Sequence, residues 1–288
     1  MSYEIADAHI HFFSPAFFRS LAEQKKVPEV GGLLGWEVPE TSEALADRWL
    51  AEMDANNVTQ AMLIASIPGD AASVNVAVTR HPSRFGALCL VNPLMPAVVE
   101  NVATEVPAGV FLFPAMHRYS LHDDRARAVI AQAKIVYVHC GVLSVGFRKK
   151  LGLPCPFDMR YSNPIDLHAV ALEFPQVKFV IPHFGAGYFR EALMVADLCP
   201  NVYLDTSSSN SWIRYQPGNM TLADAFRKAL EVAGPGRILF GSDSSFFPRG
   251  WVTPVFEAQV KALNDAGASP ETIQAVLAGN LRSLLNAK

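Results

Sequence analysis

Asp7-Ala8-His9-Ile10-His11 closes the first β-rich run, Tyr3–Ala8, and its reading decides the fold. A doubly wound open sheet would place a glycine-rich phosphate loop at this point. Two histidines stand there instead. Working outward, seven more short runs follow: Val58–Ala65, Phe85–Val91, Ala108–Phe113, Ile135–Val138, Val177–Ile181, Val202–Asp205 and Ile238–Phe240. Most are nearly unbroken Val, Ile, Leu and Phe, the pattern of parallel strands buried on both faces. Helical patterns lie between them. Leu45, Trp49 and Met53 share a face, with Thr41-Ser42 before them and Asn56-Asn57 after, residues suited to the two caps. Asp123-Asp124 opens another helix, with Ala126, Val129, Ile130 and Ala133 facing inward. Leu222, Phe226 and Leu230 form a third, ended by Gly234-Pro235, and Leu277, Leu281 and Leu284 a last. Eight strands alternating with helices over about 250 residues predict an α/β fold, the (β/α)₈ TIM barrel. No repeat or linker divides residues 1–288, so a single domain is expected.

Residues 12–41, 141–164 and 206–221, after strands one, five and seven, are longer than ordinary connections. In a barrel all three gather over the C-terminal face. Rich in Phe, Trp, Tyr, Gly and Pro, they read as a lid over an apolar substrate, or else as surface decoration or an oligomer contact.

Composition narrows the partners. Half of the 288 residues are apolar, enough for a substantial core. Lys and Arg number 24 against 27 Asp and Glu, without a basic stripe, so neither nucleic acid nor an anionic membrane is expected as a partner. Cys89, Cys140, Cys155 and Cys199 form no CxxC pair and read as reduced thiols. The start, Met1-Ser2-Tyr3-Glu4-Ile5, lacks the basic region of a signal peptide, and no apolar run approaches the roughly 20 residues of a membrane span. A cytoplasmic protein acting on a small molecule is the expectation.

His9 and His11 point the same way on an extended strand, so both can reach one metal ion. Eight histidines in this length give roughly 0.2 such pairs by chance, so the motif alone is weak. Its weight comes from three other strand ends. His139 ends strand five in Val138-His139-Cys140-Gly141, His183 ends strand six in Pro182-His183-Phe184-Gly185-Ala186-Gly187, and Asp243 ends strand eight in Gly241-Ser242-Asp243. A barrel brings all these ends to one mouth. Three or four histidines with one aspartate, open to solvent, are the ligand chemistry of a catalytic Zn²⁺-type site.

Together these motifs, with Asn201-Val202-Tyr203-Leu204-Asp205-Thr206-Ser207 and the closing Gly279-Asn280-Leu281-Arg282, resemble the amidohydrolase superfamily. The nearer resemblance is to the amidohydrolase-related group that includes aminocarboxymuconate-semialdehyde decarboxylase, and it covers nearly the whole chain. It implies that His9, His11, His139 and Asp243 hold one divalent metal ion, with Zn²⁺ the first candidate, and that His183 stands beside the bound water. The resemblance also implies a homodimer. Binuclear relatives carry a lysine at the end of strand four; Gly109–Pro114 has none, which argues for one metal. A bound cation brings water toward neutral pKa. Asp243 then serves as catalytic base and later acid, and His183 polarises a carbonyl or orients the water.

Arg249, Phe12, Trp36 and His117 are the candidate substrate contacts. Arg118, Arg148, Arg190 and Arg214 are weaker candidates to fork a carboxylate, and Phe13, Trp212, Phe246 and Phe247 complete an expected aromatic wall. His81, His122 and His168 read as structural, and Cys140 as packing opposite His139. The leading functional reading is a metal-dependent hydrolase of an amide, lactone or ester of a small organic acid. The alternative is a non-oxidative decarboxylase of an unsaturated or aromatic acid. A barrel that has lost catalysis and serves in binding is a third.

Overall fold

The apolar runs become eight parallel strands in one sheet, ordered as they occur in the chain. They are β1 (Ile5–Phe12), β2 (Val58–Ala65), β3 (Phe85–Val91), β4 (Gly109–Leu112), β5 (Ile135–Val138), β6 (Lys178–Ile181), β7 (Val202–Asp205) and β8 (Ile238–Leu239). The computed structural model describes residues 3–95, 108–208 and 210–286. Each strand pairs with the next, and β1 closes on the chain at and beyond the end of β8. There the Ala8 N–H donates to Phe240 O at 2.8 Å, His11 N–H to Ser244 O at 2.8 Å and Asp243 N–H to His9 O at 3.0 Å. The result is a TIM barrel. β1 runs to Phe12, so the His-x-His pair lies within the strand rather than past the predicted end at Ala8.

Helices α1 (Pro15–Lys25), α2 (Ser42–Ala55), α3 (Ala71–Arg80), α4 (Asp124–Ile130), α5 (Asp166–Glu173), α6 (Phe189–Leu198), α7 (Leu222–Val232), α8 (Thr253–Asp265) and α9 (Asn280–Asn286) accompany the strands. Their ends follow the capping residues. Thr41 Oγ1 accepts from the Ala44 N–H ahead of α2, Thr221 and Asp224 form a capping box on α7, and Asn57 and Gly234 turn left-handed after α2 and α7. Helix α4 stops at Ile130, so Ala133 packs half-buried beyond its end rather than on its face.

Two cores result. The outer one lies between strands and helices and holds Ile10, Phe12, Trp49, Met53, Val129 and Phe226. The inner one fills the lumen with Ala6, Ala8, Met62, Phe111 and Tyr137, joined by Ala278, Leu281 and Leu284 from the chain's end. Arg282 on α9 bonds Glu4 and Thr59 at the starts of β1 and β2, so α9 seals the floor of the barrel. Leu277, placed ahead of α9 by a π-helical turn, joins the outer core instead.

The connection after β1 differs from the expected loop. Phe17, Phe18, Leu21 and Ala22 recur at helical spacing, and Ser14 Oγ accepts from the Phe17 N–H, so the segment folds as α1. Its apolar face packs with Phe13, Leu34, Phe147, Leu151 and Phe246 in a third cluster, which joins the chain after β1, β5 and β8. Among the described residues no helix is long and apolar enough to cross a membrane.

Candidate metal centre

A bulge turns His9 and His11 into the lumen. Asp7 pairs with Ala61 and Ile10 with Leu63, so Ala8 and His9 together oppose Met62. The extra residue inverts the alternation of the strand. Ala6 and Ala8 face the inner core before it; Ile10 and Phe12 face the outer core after it, leaving His9 and His11 inside. Phe12, fully buried among the helices, therefore walls no site, which corrects its expected role as a substrate contact.

His9 Nδ1 stands 2.7 Å from Asp205 Oδ2, and His11 Nδ1 lies 3.1 Å from Ser66 Oγ. Both rings thus turn Nε2 toward Asp243, whose Oδ1 is 3.9 Å from His9 Nε2 and 3.5 Å from His11 Nε2. The ligand atoms of these three residues all lie within 4.8 Å of one another. His139 lies outside that trio. Its ring centroid is 5.3 Å from His183, which in turn is 4.9 Å from His9. Both His139 nitrogens and His9 Nε2 are buried without a hydrogen-bond partner among the described residues. Each such orphan is destabilising by about 1–3 kcal/mol. Unpaired imidazole nitrogens beside an aspartate carboxylate, around one mouth, fit a divalent cation of the Zn²⁺ type.

Electrostatics favours neutral rings at most of these positions. Burial, then the neighbouring histidines, holds His139 well below its ordinary value, and burial followed by His9 pushes His11 down to about 3. Burial also lowers His183. For His9, burial is outweighed by the charge and hydrogen bond of Asp205, so its pKa rises; the same contact brings the Asp205 carboxyl below its usual range against burial.

Three supporting residues carried no assignment from sequence. Asp205 ends β7 and grips His9; as an ionisable residue at a strand end it met the criterion applied to its neighbours. Ser207 Oγ lies 2.8 Å from His183 Nδ1 and 3.2 Å from His9 Nδ1, while the Ser207 N–H donates to Asp205 Oδ1 at 2.6 Å. Asp7 is buried behind the bulge, where desolvation pushes its carboxyl up to about 6 against the Ser242 side chain and three N–H donors. The backbone is strained at the two catalytic candidates: Asp243 has φ 59°, and His183 has φ 58° at the head of a left-handed run through Gly187.

The substrate candidates divide. Arg249 Nη2 donates to Ser245 Oγ at 2.7 Å and to Asp243 O at 3.3 Å, with its guanidinium 4.5 Å from the Phe246 ring. Phe246 stacks on Trp36 at 4.1 Å, Trp36 on Phe13 at 5.5 Å, and Phe13 stands 5.7 Å from His11. An aromatic tier thus leads from Arg249 back to His11 of the trio. Trp212 and Phe247 do not join it; both are buried in the outer core, Trp212 beside Phe189 and Phe247 beside Trp49. His117 is half-buried, 6.4 Å from Phe113, whose ring lies 4.3 Å from His139. Arg118, Arg148, Arg190 and Arg214 are engaged by Pro156, Pro154, Glu191 and Tyr215. Cys140 faces the outer core, opposite His139, and His81 pairs with Asp47.

The amidohydrolase family model matches residues 6–286. The chain belongs to the amidohydrolase family. It is therefore placed among the enzymes of the amidohydrolase superfamily, whose members bind metal. Among solved structures, this amidohydrolase is similar to a TIM-barrel protein from Bordetella bronchiseptica, with a TM-score of 0.65 at 20% identity over 98% of both chains. A Burkholderia multivorans amidohydrolase with bound zinc gives a TM-score of 0.60 at 17% identity, again over 98% of both. A probable 2-pyrone-4,6-dicarboxylic acid hydrolase from Acinetobacter baumannii gives 0.60 at 15% identity, over 98% of this chain and 99% of that one. In sequence, 87 residues are 34% identical to protein fluG of Emericella nidulans, a stretch that is 30% of this chain and 10% of that protein.

Proposed function

We propose that this amidohydrolase hydrolyses a lactone, ester or amide of a small planar organic acid, using water activated at one divalent cation, Zn²⁺ foremost. The observation that carries the reading is the convergence of His9 Nε2, His11 Nε2 and Asp243 Oδ1 within 4.8 Å, beside buried imidazole nitrogens that lack partners among the described residues. His9, His11 and Asp243 would hold the ion, with His139 as a further donor. Bound there, a divalent cation lowers the pKa of water toward about 7.

The protein's own groups divide the rest of the work. Asp243, 34% exposed at its side chain, takes the proton released as water adds to the carbonyl and returns it to the leaving oxygen or nitrogen. One carbon–oxygen bond forms, the scissile bond breaks, and the proton ends on the leaving group. His183 Nδ1 faces the Ser207 carbonyl at 3.2 Å, which assigns the proton to Nδ1 and leaves Nε2 an acceptor suited to orienting water. Arg249 keeps N–H groups to fork a carboxylate, and the tier of Phe246, Trp36 and Phe13 suits a flat substrate.

The relative whose name specifies a pyrone dicarboxylic acid guides the choice of probes. Zinc-loaded protein is given pyrone carboxylates and other unsaturated lactones, with ring absorbance, acid release and carbon dioxide followed together. One new carboxylate per turnover without carbon dioxide is expected. Carbon dioxide release would overturn the reading in favour of a decarboxylase. Elemental analysis should find about one divalent ion per chain, lost from the His9→Ala/His11→Ala protein.

A further inference from the structure

Asp7 is fully buried at the seam where the barrel closes, and it binds three N–H groups. Its Oδ1 accepts from the His9 backbone at 2.9 Å and from the Ser242 backbone at 3.0 Å; its Oδ2 accepts from Trp251 Nε1 at 2.7 Å. The His9 N–H falls at the bulge, within the pair of residues that oppose Met62. The Asp243 N–H donates to His9 O, so a closed ring of contacts runs from Asp7 to His9, to Asp243, to Ser242 and back. Asp243 holds φ 59° inside that ring, a conformation that persists in a non-glycine residue where its surroundings over-determine it.

We infer that Asp7 is a positioning residue: its carboxylate locks the backbones of His9 and Asp243 in the relation that sets His9 Nε2 3.9 Å from Asp243 Oδ1. Cation affinity and the placing of the base then depend on a side chain that is not itself a ligand. The inference rests on His9, His11 and Asp243 being the ligands.

Cobalt(II) is the probe, because its affinity and its visible absorption report ligand geometry independently of turnover. Asp7→Asn preserves size but presents an amide N–H₂ to the indole N–H or to the two backbone N–H groups, a donor facing a donor. It should weaken Co²⁺ binding by about 10- to 100-fold and shift the absorption band. Adding Trp251→Phe removes the indole donor, lets the amide oxygen face the backbone groups, and should recover part of the affinity. Unchanged affinity and band in Asp7→Asn, a double variant no better than the single, or neither variant folding would each overturn the inference. Should Asp7→Asn alone fail to fold, the double variant is read against the natural protein: an altered band supports positioning and an unaltered band overturns it. A natural protein that binds no Co²⁺ would instead overturn the ligand assignment on which the inference rests.

Discussion

Asp205 Oδ2 stands 2.7 Å from His9 Nδ1, with both side chains fully buried. The carboxylate accepts the Nδ1–H hydrogen bond and leaves the unprotonated Nε2 lone pair facing Asp243, so a residue 196 positions away in the chain sets the tautomer of His9. Asp205→Asn keeps the volume and removes the charge. Zn²⁺ affinity, measured by competition with a chelator, should fall by about 10- to 100-fold with the far-ultraviolet circular dichroism unchanged. Zinc at 100 times its Kd should stabilise the natural protein by about 2.7 kcal/mol, and the same concentration should stabilise the variant less. Equal Kd values for the two proteins would refute the role of Asp205.

Gly241 lets that pair approach. A Cβ there would lie 2.7 Å from Asp205 Oδ1, 2.8 Å from Ser207 Cβ and 2.9 Å from His9 Cβ. Gly241→Ala should destabilise by about 1–3 kcal/mol and displace the His9–Asp205 contact, lowering metal content as well. Gly236→Ala is the comparison, since a Cβ there meets nothing within 4 Å. Urea unfolding should separate the two variants; similar midpoints would show that the packing at Gly241 yields.

These residues mark how far the sequence could be read. Apolar runs with ionisable ends made the barrel and its mouth legible, since burial on both faces leaves few polar residues in a strand and each one is informative. The bulge at Ala8-His9 was not legible, because an inserted residue leaves no mark in residue type. Phe12 was legible yet misread: alternation alone puts it opposite His11. Trp212 and Phe247 sit in aromatic surroundings that only the packing of remote helices defines. Asp7 meets Ser242 and Trp251 across 235 and 244 residues, a relation that a single sequence does not display.

His117 gives a pH dependence with a definite sign. Burial pushes its imidazole down to about 4, so it stays neutral in the folded protein where the unfolded chain, near 6.5, takes up a proton. Its contribution is fully present above about pH 6.5 and is lost as pH falls toward 4. At about 1.4 kcal/mol per pKa unit, the loss reaches about 3 kcal/mol at most. In metal-free protein, urea unfolding at pH 7 and at pH 4.5 should give a larger decline for the natural chain than for His117→Gln. Equal declines would mean that His117 is charged in the folded state or already exposed.

Arg249 separates substrate binding from support of the base. Its guanidinium reaches Asp243 O and Ser245 Oγ through Nη2 alone, leaving its remaining N–H groups for a substrate carboxylate. A charged hydrogen bond of about 1.5–3 kcal/mol corresponds to a KM roughly 10- to 150-fold higher in Arg249→Met, with kcat little changed. A neutral ester of the same substrate should lose nothing. Arg249→Lys should restore only part of the affinity, because an ammonium lacks the planar fork. If kcat falls while KM holds, and the neutral ester suffers equally, then Arg249 acts on the Asp243 backbone and not on the substrate. Steady-state kinetics on the charged and neutral pair distinguishes these outcomes directly.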